Sequence, residues 1–380
     1  MLYLDHAATT PVRPEVVAAM LPYMTDRFGN PSSHHTVGEA AASALDDARR
    51  RVAAVVGMRP GDVVFTSGGT EANNLAIKGL AIAAAERRRA PVHLVTSPIE
   101  HESVLASCDY LERIHRFDIT HVSVSATGVV SPDDVAASLR DETALVTLGY
   151  ANNEIGTVQD IPAIAAVCAE ARVPLHIDAV QAAGWEPLAG TGADAISIAG
   201  HKIGAPQGVG VLAVRGRLPL EPLLHGGGQE RERRSGTENV AGAVGFALAL
   251  ELAETERAAK AARVAARRDA FISRVLHLVP NARLTGDPVR RLAGTASFTF
   301  AGVSGEAVLL ELERRGIVSS SGSACAAGSD EPSHVLVALG IPREVAQTSV
   351  RFTFGHGRDL DLTPVADAVA AAVTAVRSGM

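Results

Sequence analysis

Leu175-His176-Ile177-Asp178 and, one loop later, Ala195-Ile196-Ser197-Ile198-Ala199-Gly200-His201-Lys202 are two short apolar runs that each stop at an ionisable group. They are too short for helices and are closed by Gly-containing or polar turns, the pattern of buried strands. Similar runs lie on either side. Val63-Val64-Phe65 leads through a glycine turn to helical sequence over 71–86, Val92–Thr96 precedes helical sequence over 101–113, and Ala144–Leu148 precedes 161–171. Val209–Val214 follows the lysine. Strands alternating with helices predict an α/β fold with a mostly parallel sheet covered on both faces. In such sheets ligands collect beyond the carboxyl ends of the strands, where Asp178 and Lys202 fall.

Residues 239–279 read as one long helical segment without proline, a bridge towards a second unit. Beyond it, Ala296–Phe300, Ile317–Ser319 and Val350–Phe354 carry strand signals, with helices near 304–315 and 362–377. A chain of 380 residues can bury a sizeable core divided over about two domains. Its 47% hydrophobic and 4% aromatic content is that of a globular α/β protein. The net charge of −7 gives no reason to expect direct nucleic-acid binding. Met1-Leu2-Tyr3-Leu4-Asp5 lacks the basic and apolar regions of a secretion signal, and no apolar run reaches membrane-spanning length. Cys108, Cys168 and Cys325 are an odd set that suits a reducing cytoplasm better than a disulfide framework.

Three segments carry candidate chemistry. A desolvated lysine beside a strand end can form a Schiff base, and a neighbouring aspartate suits a cationic pyridine nitrogen. An ion pair at a sheet edge would use the same two residues. Phe65-Thr66-Ser67-Gly68-Gly69-Thr70-Glu71-Ala72-Asn73-Asn74 opens a helix after a strand and could cradle a phosphate, or be an ordinary glycine turn. It is not a P-loop, because no Gly-Lys-Ser/Thr follows at the required spacing. Ser319 to Ser329 is small, polar and Gly-punctuated, so it reads as a mobile loop. Its Cys325 is placed to act as a nucleophile, whereas Cys108 and Cys168, among Ala, Leu and Val, read as packing residues.

Taken in order, these segments and several others resemble the cysteine desulfurases of the IscS/NifS type, fold-type I pyridoxal-phosphate enzymes related to class V aminotransferases. The resemblance runs through Tyr3 to Pro11, Gly29-Asn30-Pro31-Ser32-Ser33, the 65–74 loop, Glu100-His101 and Asn152-Asn153-Glu154-Ile155-Gly156. It continues through His176 to Gln181, Gly200-His201-Lys202, His225 to Glu230, Arg234-Ser235-Gly236-Thr237, the Cys325 loop and Arg351-Phe352.

The resemblance implies a large domain (15–255) with a mostly parallel seven-stranded sheet flanked by helices. A smaller α/β domain (1–14 and 256–380) would carry the mobile cysteine loop, about 319–330. It implies that pyridoxal 5'-phosphate is held as a Schiff base by Lys202, which then moves the Cα proton of L-cysteine. Asp178 would pair with the pyridine nitrogen, Gln181 and Asn153 with the ring oxygen, and His101 would stack on the ring and shuttle protons. Gly69, Thr70 and His201 would line the phosphate, joined by Thr237 from a second copy in a homodimer. Asn30 and Arg351 would clamp the substrate carboxylate, and Cys325 would take the sulfur as a persulfide, leaving L-alanine. Acceptors would be iron–sulfur scaffold or tRNA-thiolation proteins, Cys325 touching a nascent cluster there without a metal site in this chain. A selenocysteine lyase or a class V aminotransferase is the alternative within the same resemblance. Two departures stand out: Ala199 occupies a position usually held by serine, and only about one helix follows Phe354.

Overall fold

The computed structural model describes residues 1–88, 92–322, 331–355 and 360–379. The chain starts in a short strand, β1 (Leu2–Tyr3), followed by helices α1 (Pro14–Met24) and α2 (Thr36–Val56). The alternating region comprises β2 (Val63–Thr66), α3 (Gly69–Arg88), β3 (His93–Thr96), α4 (Glu102–His115) and β4 (Asp118–His121). It continues with α5 (Pro132–Ser138), β5 (Thr143–Gly149), α6 (Ile161–Glu170), β6 (Leu175–Asp178), β7 (Ala195–Ala199) and β8 (Gly210–Val214). The long α7 (Val240–Leu278) leads to β9 (Ala282–Leu284), β10 (Thr295–Phe300), α8 (Gly305–Arg314) and β11 (Ile317–Val318). Last come α9 (His334–Ala338), α10 (Arg343–Ala346), β12 (Ser349–Thr353) and α11 (Thr363–Ser378).

Seven strands form one sheet in the order β2-β8-β7-β6-β5-β3-β4, in which only β8 runs against its neighbours. The mostly parallel sheet expected from the sequence is therefore present. One strand of this sheet escaped the sequence reading: β4, Asp-Ile-Thr-His, sits at the sheet edge with its residues exposed or half-buried. An edge strand needs no apolar run and gains protection from polar side chains. That is why β4 leaves no hydrophobic signal.

Within the sheet, successive residues serve opposite faces. Leu94, Leu145 and Leu212 pack with Leu75, Ile77 and Leu80 of α3 and Leu111 of α4. Their neighbours Val95, Val146 and Val211 pack on the other face with Leu45 and Val52 of α2, Ile164 of α6 and Phe246 of α7. Two-sided burial explains why these strands read as continuous apolar runs. A separate cluster joins Leu4, Phe271, Phe298, Phe300, Phe352 and Val369 around the antiparallel sheet β12-β10-β9. Tyr3 and Leu2 of β1 pair with β11 in that second unit.

Candidate functional site

The register of the central strands aligns Gly149 of β5 with Asp178 of β6, and Asp178 with Ser197 of β7. From Ala199 the chain makes a single 3-10 turn, Gly200–Lys202, which carries the lysine over the strand ends. A cavity of about 1050 Å³ opens there, and it is lined by Gly69, Thr70, His101, Asn153, Asp178, Gln181, His201, Lys202 and Arg351. Nine residues singled out from the sequence thus meet in one place, drawn from the tips of β2, β3, β5, β6, β7 and from β12. Asn30 and Thr237 are exposed and do not contribute to the lining. Cys325 lies outside the described residues.

Lys202 Nζ donates to the carbonyl of Ala8 at 2.7 Å and to that of Ala7, so the amine is held by the N-terminal segment. Gln181 Nε2 reaches the same Ala7 carbonyl at 3.1 Å. Asp178 is buried; its Oδ1 accepts from Val180 N at 2.9 Å and its Oδ2 from Asn73 Nδ2 at 2.7 Å. His201 Nδ1 lies 3.2 Å from Thr9 Oγ1, and burial, then the nearby Lys202 charge, push its pKa down to about 4. It is therefore a neutral ring at pH 7.

His101 is the N-cap of α4, its Nδ1 accepting from Ser103 N at 3.1 Å, and it also lines the cavity. Helix capping and a place at the site are two uses of one ring. Arg351 is not the surface charge that a strand-end arginine could have been. It is 1% exposed, with Nη1 donating to the carbonyls of Asn153 (2.8 Å) and Gly322 (3.1 Å) and Nη2 to Asp5 Oδ1 (2.6 Å). Its Nε is buried with no partner among the described residues.

The wall beyond the nine includes groups to which sequence reasoning gave no role. Glu100 is fully enclosed, accepting from Ser97 Oγ and Gly149 N at 2.5 Å each. Burial, reinforced by the charge of Asp178, pushes its pKa up to about 8. Glu154 accepts from Ser333 Oγ at 2.5 Å, and burial raises it too. Asn73 and Ser103 link Asp178 to His101. Of these five residues all but Ser333 sit in or beside a quoted motif, but polar residues at helix starts are common, so sequence alone gives no reason to single them out.

The donor set matches the three polar parts of pyridoxal phosphate: an amine for its carbonyl, a carboxylate for its ring nitrogen, and a helix N-terminus for its phosphate. Gly69 leaves the close approach at that helix end open. A Cβ there would stand 2.7 Å from Val180 Cγ2 and 3.3 Å from Ala199 Cβ. The first turn of α3 offers N–H groups and the positive end of the dipole. Glu71, on the same turn, accepts from Ser67 N and pairs with Arg234 at 2.8 Å. Burial opposes its charge, but Arg234 and Ser67 outweigh that and hold it below the usual carboxylate range.

The family model for class-V aminotransferases matches residues 2–360. The cysteine desulfurase IscS of Dictyoglomus turgidum is 44% identical over 356 residues, 93% of this chain and 89% of that protein. Among solved structures, a NifS-like protein superposes with a TM-score of 0.89 at 32% identity, covering 100% of both chains. SspA, solved in complex with cysteine, gives 0.81 at 35% identity over 94% of this chain and 100% of its own. With the family model spanning nearly its whole length and such relatives beside it, this chain belongs to the class-V aminotransferase family, alongside the cysteine desulfurases of the IscS and NifS type.

Proposed function

We propose that the protein is a pyridoxal-phosphate-dependent cysteine desulfurase that moves the sulfur of L-cysteine to Cys325 and leaves L-alanine. The supporting observation is the meeting of Lys202, Asp178, His101 and Arg351 in one cavity at the carboxyl ends of neighbouring strands. When bound, pyridoxal phosphate supplies a carbonyl carbon for an amine and a ring that accepts electrons. Lys202 would hold it through Nζ, and the same Nζ would take and return the Cα proton of the substrate. Asp178 keeps the ring nitrogen protonated by its charge. Gln181 and Asn153 hold the ring oxygen, while Gly69, Thr70 and neutral His201 hold the phosphate. His101 covers the ring and moves protons.

Arg351, on the cavity wall, holds the substrate carboxylate, a task that suits the guanidinium fork; Asn30, which lies outside that wall, takes no part in this reading. The Cys325 thiolate then takes the sulfur. The Cβ–S bond of cysteine breaks, an S–S bond forms on Cys325, and a proton replaces sulfur on Cβ. The persulfide is passed to a protein acceptor, an iron–sulfur scaffold or a tRNA-thiolation protein. Cys108 and Cys168 do not compete for this role: both are buried, and burial pushes their thiols up to about 12. These unpaired thiols suit the cytoplasm, and no helix among the described residues is long and apolar enough to cross a membrane.

A homodimer completes the phosphate site through Thr237, which is exposed in one copy. The apolar face it would bury is Val17, Leu21 and Met24 of α1 with Phe28, exposed by 52%, 56%, 64% and 67%. The boundary between the two domains falls near residue 255, inside α7. Ala253 still packs in the large core there, whereas Val264 packs in the small one.

The test separates desulfuration from its alternatives. Cys325→Ala should keep the cofactor but form less than about 1% of the native alanine from cysteine, measured with a reductant present. Native alanine yield in that variant removes the thiol from the mechanism, and dependence on a keto acid would indicate an aminotransferase. Lys202→Ala should lose the visible band of the lysine-bound cofactor.

A further inference from the structure

We infer that Asn73 and Ser103 are positioning residues that lock His101 into a single tautomer by tying it to Asp178. The inference rests on the reading above that His101 touches the cofactor. Asn73 is 1% exposed, and its Nδ2 lies 2.7 Å from Asp178 Oδ2 and 2.9 Å from Ser103 Oγ. Exchanging the amide nitrogen and oxygen would set an acceptor against the carboxylate, so the orientation is fixed, with one N–H to each partner. It is kept although Asn73 Oδ1 is left buried without a partner among the described residues. An unsatisfied buried acceptor asks for a reason.

Ser103 Oγ accepts from Asn73, which leaves its own hydrogen for His101 Nδ1, 2.8 Å away. The backbone N–H of Ser103 points at the same nitrogen from 3.1 Å. Two donors converging on Nδ1 require it to present a lone pair, so the proton of the neutral ring resides on Nε2. His101 therefore faces the cavity as a proton donor held in one orientation. The chain Asp178–Asn73–Ser103–His101 links the charge beside the ring nitrogen to the group that covers the ring.

Histidine-selective 15N NMR of the cofactor-loaded enzyme tests this, with His101→Gln as the assignment reference. The native protein should show His101 Nδ1 unprotonated and Nε2 protonated. Ser103→Ala should give a mixture of tautomers and lower kcat for alanine formation about tenfold, a part of what a general acid–base group contributes. KM for cysteine and cofactor content should stay within twofold. Ser103→Thr, which keeps the hydroxyl, should restore both the spectrum and kcat. A mixed tautomer in the native protein, or native kcat with a single tautomer in Ser103→Ala, overturns the inference. A single tautomer lost in Ser103→Ala, in a native enzyme that does not desulfurate cysteine, sustains the relay and refutes the functional reading instead.

Discussion

Glu100 shows how far a single side chain can depart from its ordinary chemistry once the fold encloses it. In the unfolded chain it ionises near 4.5, whereas in the folded chain burial, with Asp178 nearby, keeps its proton to about 8. Between those values the unfolded state binds fewer protons, so stability should fall as pH rises through the window. Glu100→Gln imitates the protonated side chain: its oxygen still accepts from Gly149 N and its amide can donate to Ser97 Oγ. The variant should match the native protein near pH 5 and be the more stable of the two at pH 8, compared by urea unfolding midpoints. The same pH slope in both proteins would refute the assignment. Nothing in Pro98-Ile99-Glu100-His101 reveals this, because the shift comes from burial in the fold and from Asp178, which lies far away in the chain. Lys202 and Asp178 were legible since each follows directly on an apolar run, and a strand end is a local property.

Among the elements, the segment before α7 is the least expected. Glu230, Arg231 and Glu232 have φ of 49°, 58° and 67°, three successive non-glycine residues in the left-handed region. Such backbone costs about 1–3 kcal/mol per residue and persists only where surroundings impose it. Here the surroundings are Arg49 of α2, whose guanidinium grips both carboxylate oxygens of Glu230 at 2.6 and 3.1 Å, and Phe65 N of β2 at 3.1 Å. Both side chains are nearly inaccessible, 6% and 2% exposed. Glu230→Gln keeps an oxygen for Phe65 N but strands the buried Arg49 charge, so it should destabilise the protein by about 3 kcal/mol. Denaturant unfolding measures this, and a loss under about 1 kcal/mol would mean that the strained segment is held by something else. The sequence marks the stretch as glycine-rich up to Gly228; the strain begins two residues later and is invisible there. The helical runs at 161–171 and 304–315 were legible, and the structure starts α6 and α8 there, after Asp160 and Ser304, whose side chains accept from Ala163 N and Ala307 N.

For the whole molecule, the bridging helix and the apolar face of α1 set the predictions. α7 carries Phe246 and Leu250 into the large core and Phe271, Ile272 and Val275 into the small one. Trp185 packs against both cores, with Lys260 of α7 over its ring at 4.2 Å. If the exposed face of α1 is the dimer contact, Leu21→Asp should weaken association by about 2 kcal/mol or more per anchor. Sedimentation would then show monomers where the native protein is a dimer, with lower cofactor affinity because Thr237 is withdrawn. A native protein that sediments as a monomer refutes the dimer outright.

The sequence by itself determined the α/β class, most strand and helix positions and the placing of Asp178 and Lys202 at strand ends. Periodicity, caps and glycine turns act over a few neighbouring residues and leave their mark locally. Only the tertiary structure decided that His101 caps a helix while facing the cavity, that Arg351 is buried against Asp5, and that Asn73 and Ser103 join Asp178 to His101. Burial and hydrogen bonding between residues far apart in the chain depend on which surfaces meet in space, and no short window of sequence contains that information.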